Sequence, residues 1–186
     1  EILAEPEPYE SFAFARAIWH YGRGVAHAAL DDAEAALIEL AAIEALEPEV
    51  DEIFMGNVYP ARDLLEIAKS LLRGEMAYRS GDAANAVLAF EEAVALQDAL
   101  PYTEPPFWYY PTRQSLGAAL LASNRLAEAQ AVFEEDLEQY PMNGWSMFGL
   151  AEALRRQGDE RGAEQMTARF KTVWQFADVS LATSIL

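Results

Sequence analysis

Leu116-Gly117-Ala118-Ala119-Leu120-Leu121-Ala122-Ser123-Asn124-Arg125-Leu126-Ala127-Glu128-Ala129 is the stretch whose reading decides the fold. Shifted by thirty-four residues, its Leu116, Gly117, Leu120, Asn124 and Ala129 land on Leu150, Ala151, Leu154, Gly158 and Ala163. Each landing is on the same or a similar type of residue. Self-similarity at that period is the mark of stacked helix–turn–helix units.

Working backwards, the pattern recurs with insertions. Gly74, Gly81, Ala86 and Phe90 match Gly117, Asn124, Ala129 and Phe133 at a shift of forty-three. Gly24, Asp32 and Ala36 match Gly74, Asp82 and Ala86 at a shift of fifty. Four units follow, at about 17–50, 67–100, 110–143 and 144–177, with inserts at about 51–66 and 101–109. In each, a small residue of the first helix (Gly24, Gly74, Gly117, Ala151) admits the second helix closely. A turn residue comes next, at Asp31, Gly81, Asn124 and Gly158, all of types that tolerate the left-handed conformation ending a helix. Asp82 and Asp159 are placed to cap the following helix at the positive end of its dipole. Ala36, Ala86, Ala129 and Ala163 then open the second helix's packing face. Pro48 and Pro141 close their units, because proline cannot continue a helix.

This pattern resembles the tetratricopeptide repeat family, most strongly from Gly81 onward. It departs at His27, where a large apolar residue is usual, and at Thr167, where Phe90 and Phe133 stand in the other units. A narrower resemblance lies in Leu100-Pro101-Tyr102, in Glu104 through Pro111, in Arg113 through Gly117 and in Pro141 through Trp145. These look like the C-terminal region of large bacterial tetratricopeptide proteins with no assigned activity. The resemblance implies an all-α, right-handed superhelical solenoid of about four helix pairs with two inserted loops. It implies a scaffold and supplies no catalytic residue. It also implies a fragment of a longer chain; the opening at Glu1 without a methionine is expected of a processed product or of a piece of something longer.

Composition bounds the function. Apolar residues make up 52% of the 186, enough for an ordered core. No apolar run approaches the ~20 residues of a membrane span. There is no cysteine, which excludes disulfides and thiolate chemistry. Thirty-one acidic against thirteen basic residues give a formal charge of −18. That balance repels nucleic-acid phosphates and anionic lipid, so neither is an expected partner. Two readings of the acidity stand side by side: a preference for basic partners, and a solvated helical surface. The compartment stays open.

The first insert contains Met55, Gly56, Asn57, Tyr59 and Pro60 and reads as a surface loop turning at Gly56-Asn57. The second combines four prolines (Pro101, Pro105, Pro106, Pro111) with Tyr102, Phe107, Trp108, Tyr109 and Tyr110. Such a segment either docks on the repeats to cover an apolar gap or lines the groove, with Glu104 as a polar anchor.

Candidate chemistry is sparse. His20 and His27 share one face of the first helix, where with a carboxylate they are weak candidates for a metal or an acid–base role; the plainer reading is helix-face packing. Asp31-Asp32, Glu91-Glu92 and Glu134-Glu135 fall where such units are solvated. No phosphate loop and no nucleophile elbow is present.

In the family that the pattern resembles, first helices line the inner surface. That register places Tyr21, Leu71, Glu75, Tyr78, Arg79, Gln114, Phe148, Glu152, Arg155 and Arg156 in a groove, with Trp108 beside them. Arg79, Arg113, Arg155 and Arg156 are then expected to bind carboxylates, or, for the last two, to sit in a helix's final turn where cations suit the dipole. The family's grip on acidic chaperone tails needs asparagines on first helices, and Asn57, Asn85, Asn124 and Asn143 lie outside them. The expected function is a scaffold holding a protein, a peptide or a small ligand, with no cofactor and no catalysis. Self-assembly into a homo-oligomer is the second reading, and a metal-binding or enzymatic domain built on His20 and His27 the third.

Overall fold

A computed structural model describes residues 1–50 and 59–185. Eight α-helices occur among them, with no strand: α1 (Ala13–Ala29), α2 (Ala33–Leu46), α3 (Ala61–Arg79), α4 (Ala83–Ala99), α5 (Arg113–Ala122), α6 (Leu126–Gln139), α7 (Gly144–Gln157) and α8 (Glu160–Val173). The chain divides into two compact units, 1–110 and 111–186.

Four hairpins share one turn. Asp31, Gly81, Asn124 and Gly158 all adopt positive φ, between 57° and 87°, and no other described residue does. In each hairpin the amide after that residue reaches back to the carbonyl five residues earlier: Asp32 to His27, Asp82 to Ala77, Arg125 to Leu120 and Asp159 to Leu154, at 2.9–3.0 Å. This six-to-one bond satisfies a carbonyl that the helix end leaves open, and it reverses the chain. The next helix is capped by an aspartate in three of the four. Asp32 accepts from the Ala35 amide, Asp82 from Asn85 and Asp159 from Gly162. At the third turn Arg125 occupies the cap and pairs with Glu128 instead.

The small residues lie where the period places them. Ala36, Ala86, Ala129 and Ala163 are buried. A Cβ on Gly74 would overlap the ring of Phe90, and one on Gly117 or Gly149 the ring of Phe133. Each phenylalanine thus fills space that a glycine leaves open. Phe133 is clasped by α5 and α7 at once.

Element boundaries differ from expectation. α1 begins at Ala13, ahead of position 17, and α3 begins at Ala61, six residues ahead of position 67. The first insert therefore ends sooner than 66, and Arg62 is helical. The turn expected at Gly56-Asn57, with Met55, lies outside the described residues. The second insert is non-helical and continues to Thr112 before α5 starts at Arg113. α8 stops at Val173, short of position 177.

Packing differs between the units. In the first, α1 pairs with α2, α3 with α4, and α1 with α3, while α2 touches α3 only lightly. In the second, α6 packs closely against both α5 and α7.

Candidate functional site

The histidines come first, because they are the chain's most reactive-looking pair. α2 carries the sequence Ala33-Glu34-Ala35-Ala36-Leu37-Ile38-Glu39-Leu40, and its Glu39 faces inward, only 6% exposed. Around its carboxylate α1 arranges three side chains one turn apart. His20 Nδ1 lies 2.6 Å from Oε2, Arg23 Nε 2.7 Å from Oε1, and His27 Nε2 3.9 Å from Oε1. His27 also lies 3.4 Å from Asp32. Arg23 in turn donates to the Leu3 carbonyl and rests over the Trp19 ring. The pair expected as a weak metal or acid–base site is thus used to hold a buried carboxylate between α1 and α2. Among the described residues no group of three or more histidine, aspartate or glutamate side chains is placed to hold a metal.

The aromatic insert docks within the first unit. Trp108 is buried, with the Tyr21 ring 5.6 Å away edge to face. Tyr110 shares a 3.1 Å hydroxyl–hydroxyl bond with Tyr21, and its carbonyl accepts from the Gln97 amide of α4. Phe107, Tyr59 and Phe14 form a second edge-to-face chain. Burial raises the Tyr21 phenol well above its ordinary pKa, with Tyr110 and Tyr109 reinforcing the shift, so the ring stays neutral. The rings here are in contact with one another, and the insert covers Tyr21 rather than leaving it open. Glu104 is at the surface, where it accepts from the Tyr102 hydroxyl and anchors nothing in the core.

Accessible space in this unit lies at both ends of the helices: one cavity, of about 180 Å³, is lined by residues 11–15, Glu49, Val50 and Ala61, and another lies at the turn ends. This second cavity, of about 220 Å³, is lined by Ala28, Asp31, Ala33, Met76, Arg79 and Ser80. It sits where α1 ends, α2 begins and α3 ends. Its lining combines apolar Ala28, Ala33 and Met76 with one acid, Asp31, and one base, Arg79. Arg79 is held by Glu75, one helical turn earlier, at 2.8 Å. Glu75 is buried, and burial raises its pKa against the opposing pull of Arg79. Tyr78 lies beside them, half-buried, and Leu71 is in the core.

In the second unit the expected groove residues are engaged internally. Arg156 donates to the Leu121 carbonyl and to Asn124, pinning the α5–α6 turn. Arg155 pairs with Glu152 at 2.7 Å. Both arginines stand in the last turn of α7, as the dipole reading expects. Phe148 meets the Phe170 ring at 5.7 Å, and Phe170 stacks on Trp174. Arg113 is buried against Glu135 and faces no open carboxylate site. Gln114 is buried: its side chain accepts from Asn143, and its carbonyl accepts from the Ser184 hydroxyl.

Two residues that shape these regions were not singled out from sequence. Glu39 was hidden in an alanine-rich helix that reads as uniformly apolar. Asp136 was hidden in the acidic run Glu134-Glu135-Asp136, yet it is fully buried, accepting from Ser146 at 2.5 Å and Asn143 at 2.7 Å. Burial raises its pKa, against those two bonds and the charge of Arg113. The repeat carried a signal for it. At shifts of forty-three and thirty-four, Asp136 stands where Ala93 and Phe170 stand in neighbouring units.

No protein-family model, curated protein or solved structure matches the chain. Among the described residues no helix is long and apolar enough to cross a membrane.

Proposed function

We propose that this chain is a binding scaffold, a right-handed solenoid of four tetratricopeptide-like hairpins that holds a protein or peptide partner and performs no catalysis. Support for the repeat assignment is that four left-handed turns of one geometry fall at the shifts of fifty, forty-three and thirty-four residues read from the sequence. Support for binding is a single observation, the cavity beside Arg79. The other chemistry-bearing side chains, His20, His27, Arg23, Arg113 and Arg156, hold helices together.

The size of the cavity favours one ligand class. Sites for free small molecules enclose ~300–1,000 Å³. A space of about 220 Å³ with apolar walls, Arg79 and Asp31 suits one side chain or a chain end presented by a larger partner. Arginine is among the residue types that most often carry interface energy, and losing one such anchor weakens binding by ~2 kcal/mol or more.

The test is affinity capture followed by a titration with the purified captured partner. Arg79→Ala removes the anchor, and Ala33→Trp fills the cavity from the first turn of α2. Each is expected to weaken binding by more than tenfold with helicity unchanged. Glu91→Ala with Glu134→Ala, on exposed second-helix faces, is expected to leave binding as it was. Capture that survives both cavity variants and is lost in the glutamate pair places the binding face elsewhere and overturns this reading.

A further inference from the structure

The outward face of α2 differs from that of a solvated helix. Buried positions Ala36, Glu39, Leu40, Ile43 and Leu46 define its inner side. The opposite side carries Ala33, Glu34, Leu37, Ile38, Ala41, Glu44 and Ala45, all exposed. Leu37 is 56% and Ile38 65% exposed, and Leu30, just before the turn, is 68% exposed. An amphipathic helix reserves that side for polar residues, and one that is apolar all round is ordinarily buried all round. α2 carries apolar residues on both sides, and among the described residues only one side is covered.

The matching helices show that this is particular to α2. Stepping Ile38 along the repeat gives Leu88, Ala131 and Gln165, and stepping Ala41 gives Glu91, Glu134 and Ala168. The outward faces of α4 and α6 carry Glu91, Glu92 and Asp98, and Glu128, Glu134, Glu135 and Glu138. Between Leu37 and Ile38 the α2 face drops to Ala41 and Ala45. Small residues there let another helix come to the ~8–10 Å axis separation of close helix packing.

Charge decides the occupant. α2 contains no basic residue. Exposed acids bracket its apolar stretch: Asp31, Asp32 and Glu34 at one end, and Glu44 and Glu49 at the other. Of these Glu44 pairs with Arg73, and Asp32 lies 3.4 Å from His27 and caps α2. A second copy laid on this face, parallel or antiparallel, brings acid against acid. An apolar helix with basic residues toward its ends meets an opposite charge at both. We infer that the outer face of α2 is a docking surface for a basic amphipathic helix of a partner protein, seated over Leu37, Ile38 and Ala41. This surface adjoins the cavity beside Arg79 at Asp31 and Ala33, and its test leaves Asp31, Ala33 and Arg79 in place.

The experiment uses the whole chain and two synthetic peptides of about 18 residues, five helical turns. Both have one leucine face; the other face carries lysine in the first peptide and glutamate in the second. Binding is read by fluorescence anisotropy at 0.05 and 0.3 M salt, and the mass of the chain by sedimentation equilibrium. The expected result is micromolar binding of the lysine peptide, weakened by salt, and binding of the glutamate peptide at least tenfold weaker. Leu37→Ser with Ile38→Ser keeps every charge, and it is expected to weaken the lysine peptide by tenfold or more with the circular dichroism spectrum unchanged. Leu88→Ser is expected to change binding less than twofold. The proposal is overturned if the serine pair binds the lysine peptide as the parent does, if Leu88→Ser weakens it equally, or if the parent is a dimer that the serine pair converts to monomer.

Discussion

α2 and α6 are second helices of the same kind of hairpin, each entered from a left-handed turn and each fourteen residues long. Their fates differ because their neighbours differ. α6 lies between α5 and α7, so a carboxylate on it, Asp136, is wholly enclosed. α2 leans on α1 and barely meets α3, so leucine and isoleucine on it face solvent. The buried acids show the same contrast. Asp136 is held by neutral donors, Ser146 and Asn143, whereas Glu39 is held by the cation Arg23 and two histidines close to the surface. Hairpin geometry is local and repeats; burial belongs to what the next hairpin does.

The largest expected effect tests how tightly α6 is clasped. Phe133 fills space left by two glycines on two helices, and Phe90 space left by one. Phe133→Ala is expected to cost about 4–5 kcal/mol and Phe90→Ala about 3 kcal/mol, by urea denaturation followed through circular dichroism. Equal costs would mean that α7 adds nothing to the enclosure of α6. Overpacking the same contact with Ala129→Leu is expected to cost about 1–3 kcal/mol.

Next comes Asp136 itself. Asp136→Ala removes the acceptor of the Ser146 hydroxyl and the shortest of the Asn143 amide's bonds, and is expected to cost about 2 kcal/mol at pH 5. The pH dependence has a definite sign. The folded pKa of Asp136 is raised, so its favourable contribution is complete below the ordinary carboxylate pKa, where folded and unfolded chains are both protonated. It declines as pH rises through the raised folded value, because only the unfolded chain sheds its proton freely. Asp136→Asn has no such proton. Hydrogen exchange of α6 amides is expected to accelerate more steeply from pH 4 to pH 8 in the parent than in Asp136→Asn, after correction for intrinsic exchange. Parallel profiles would show that Asp136 titrates normally.

Glu39→Gln is expected to cost less, about 1–2 kcal/mol, because Arg23 and the histidines regain water when their partner loses its charge. A cost above that of Asp136→Ala would reverse the comparison. Smallest of all, Leu37→Ser is expected to change stability by no more than about 0.5 kcal/mol, because an exposed side chain has little burial to lose. A loss of 2 kcal/mol would show that the α2 face is covered within the chain.

Much of the local architecture was legible in residue types. Asp31, Gly81, Asn124 and Gly158 were readable as turns, and Asp82 and Asp159 as caps, because left-handed φ and capping depend on a residue and its nearest neighbours along the chain. Gly74 with Phe90 and Gly117 with Phe133 were readable through the period, since contacts within one hairpin recur at fixed spacing. The extra turns at the start of α1 and α3 were not, because the repeat period sets only the shared part of each unit and no side-chain cap marks either start, although alanine, arginine and leucine there favour a helix.

The site was legible only in part, and the reason is distance along the chain. Sequence alone determined that Arg79 stands at the end of a first helix and that the aromatic insert is apolar enough to seek cover. Tertiary structure decided that Trp108 and Tyr110 spend that tendency on Tyr21, that His20 and His27 serve Glu39, and that Arg156 braces the α5–α6 turn. It also decided that an acid in the run Glu134-Glu135-Asp136 is buried while Leu37 and Ile38 are not. Helix periodicity assigns a residue to a face; whether that face meets water or another helix depends on elements tens of residues away, whose packing no local pattern encodes.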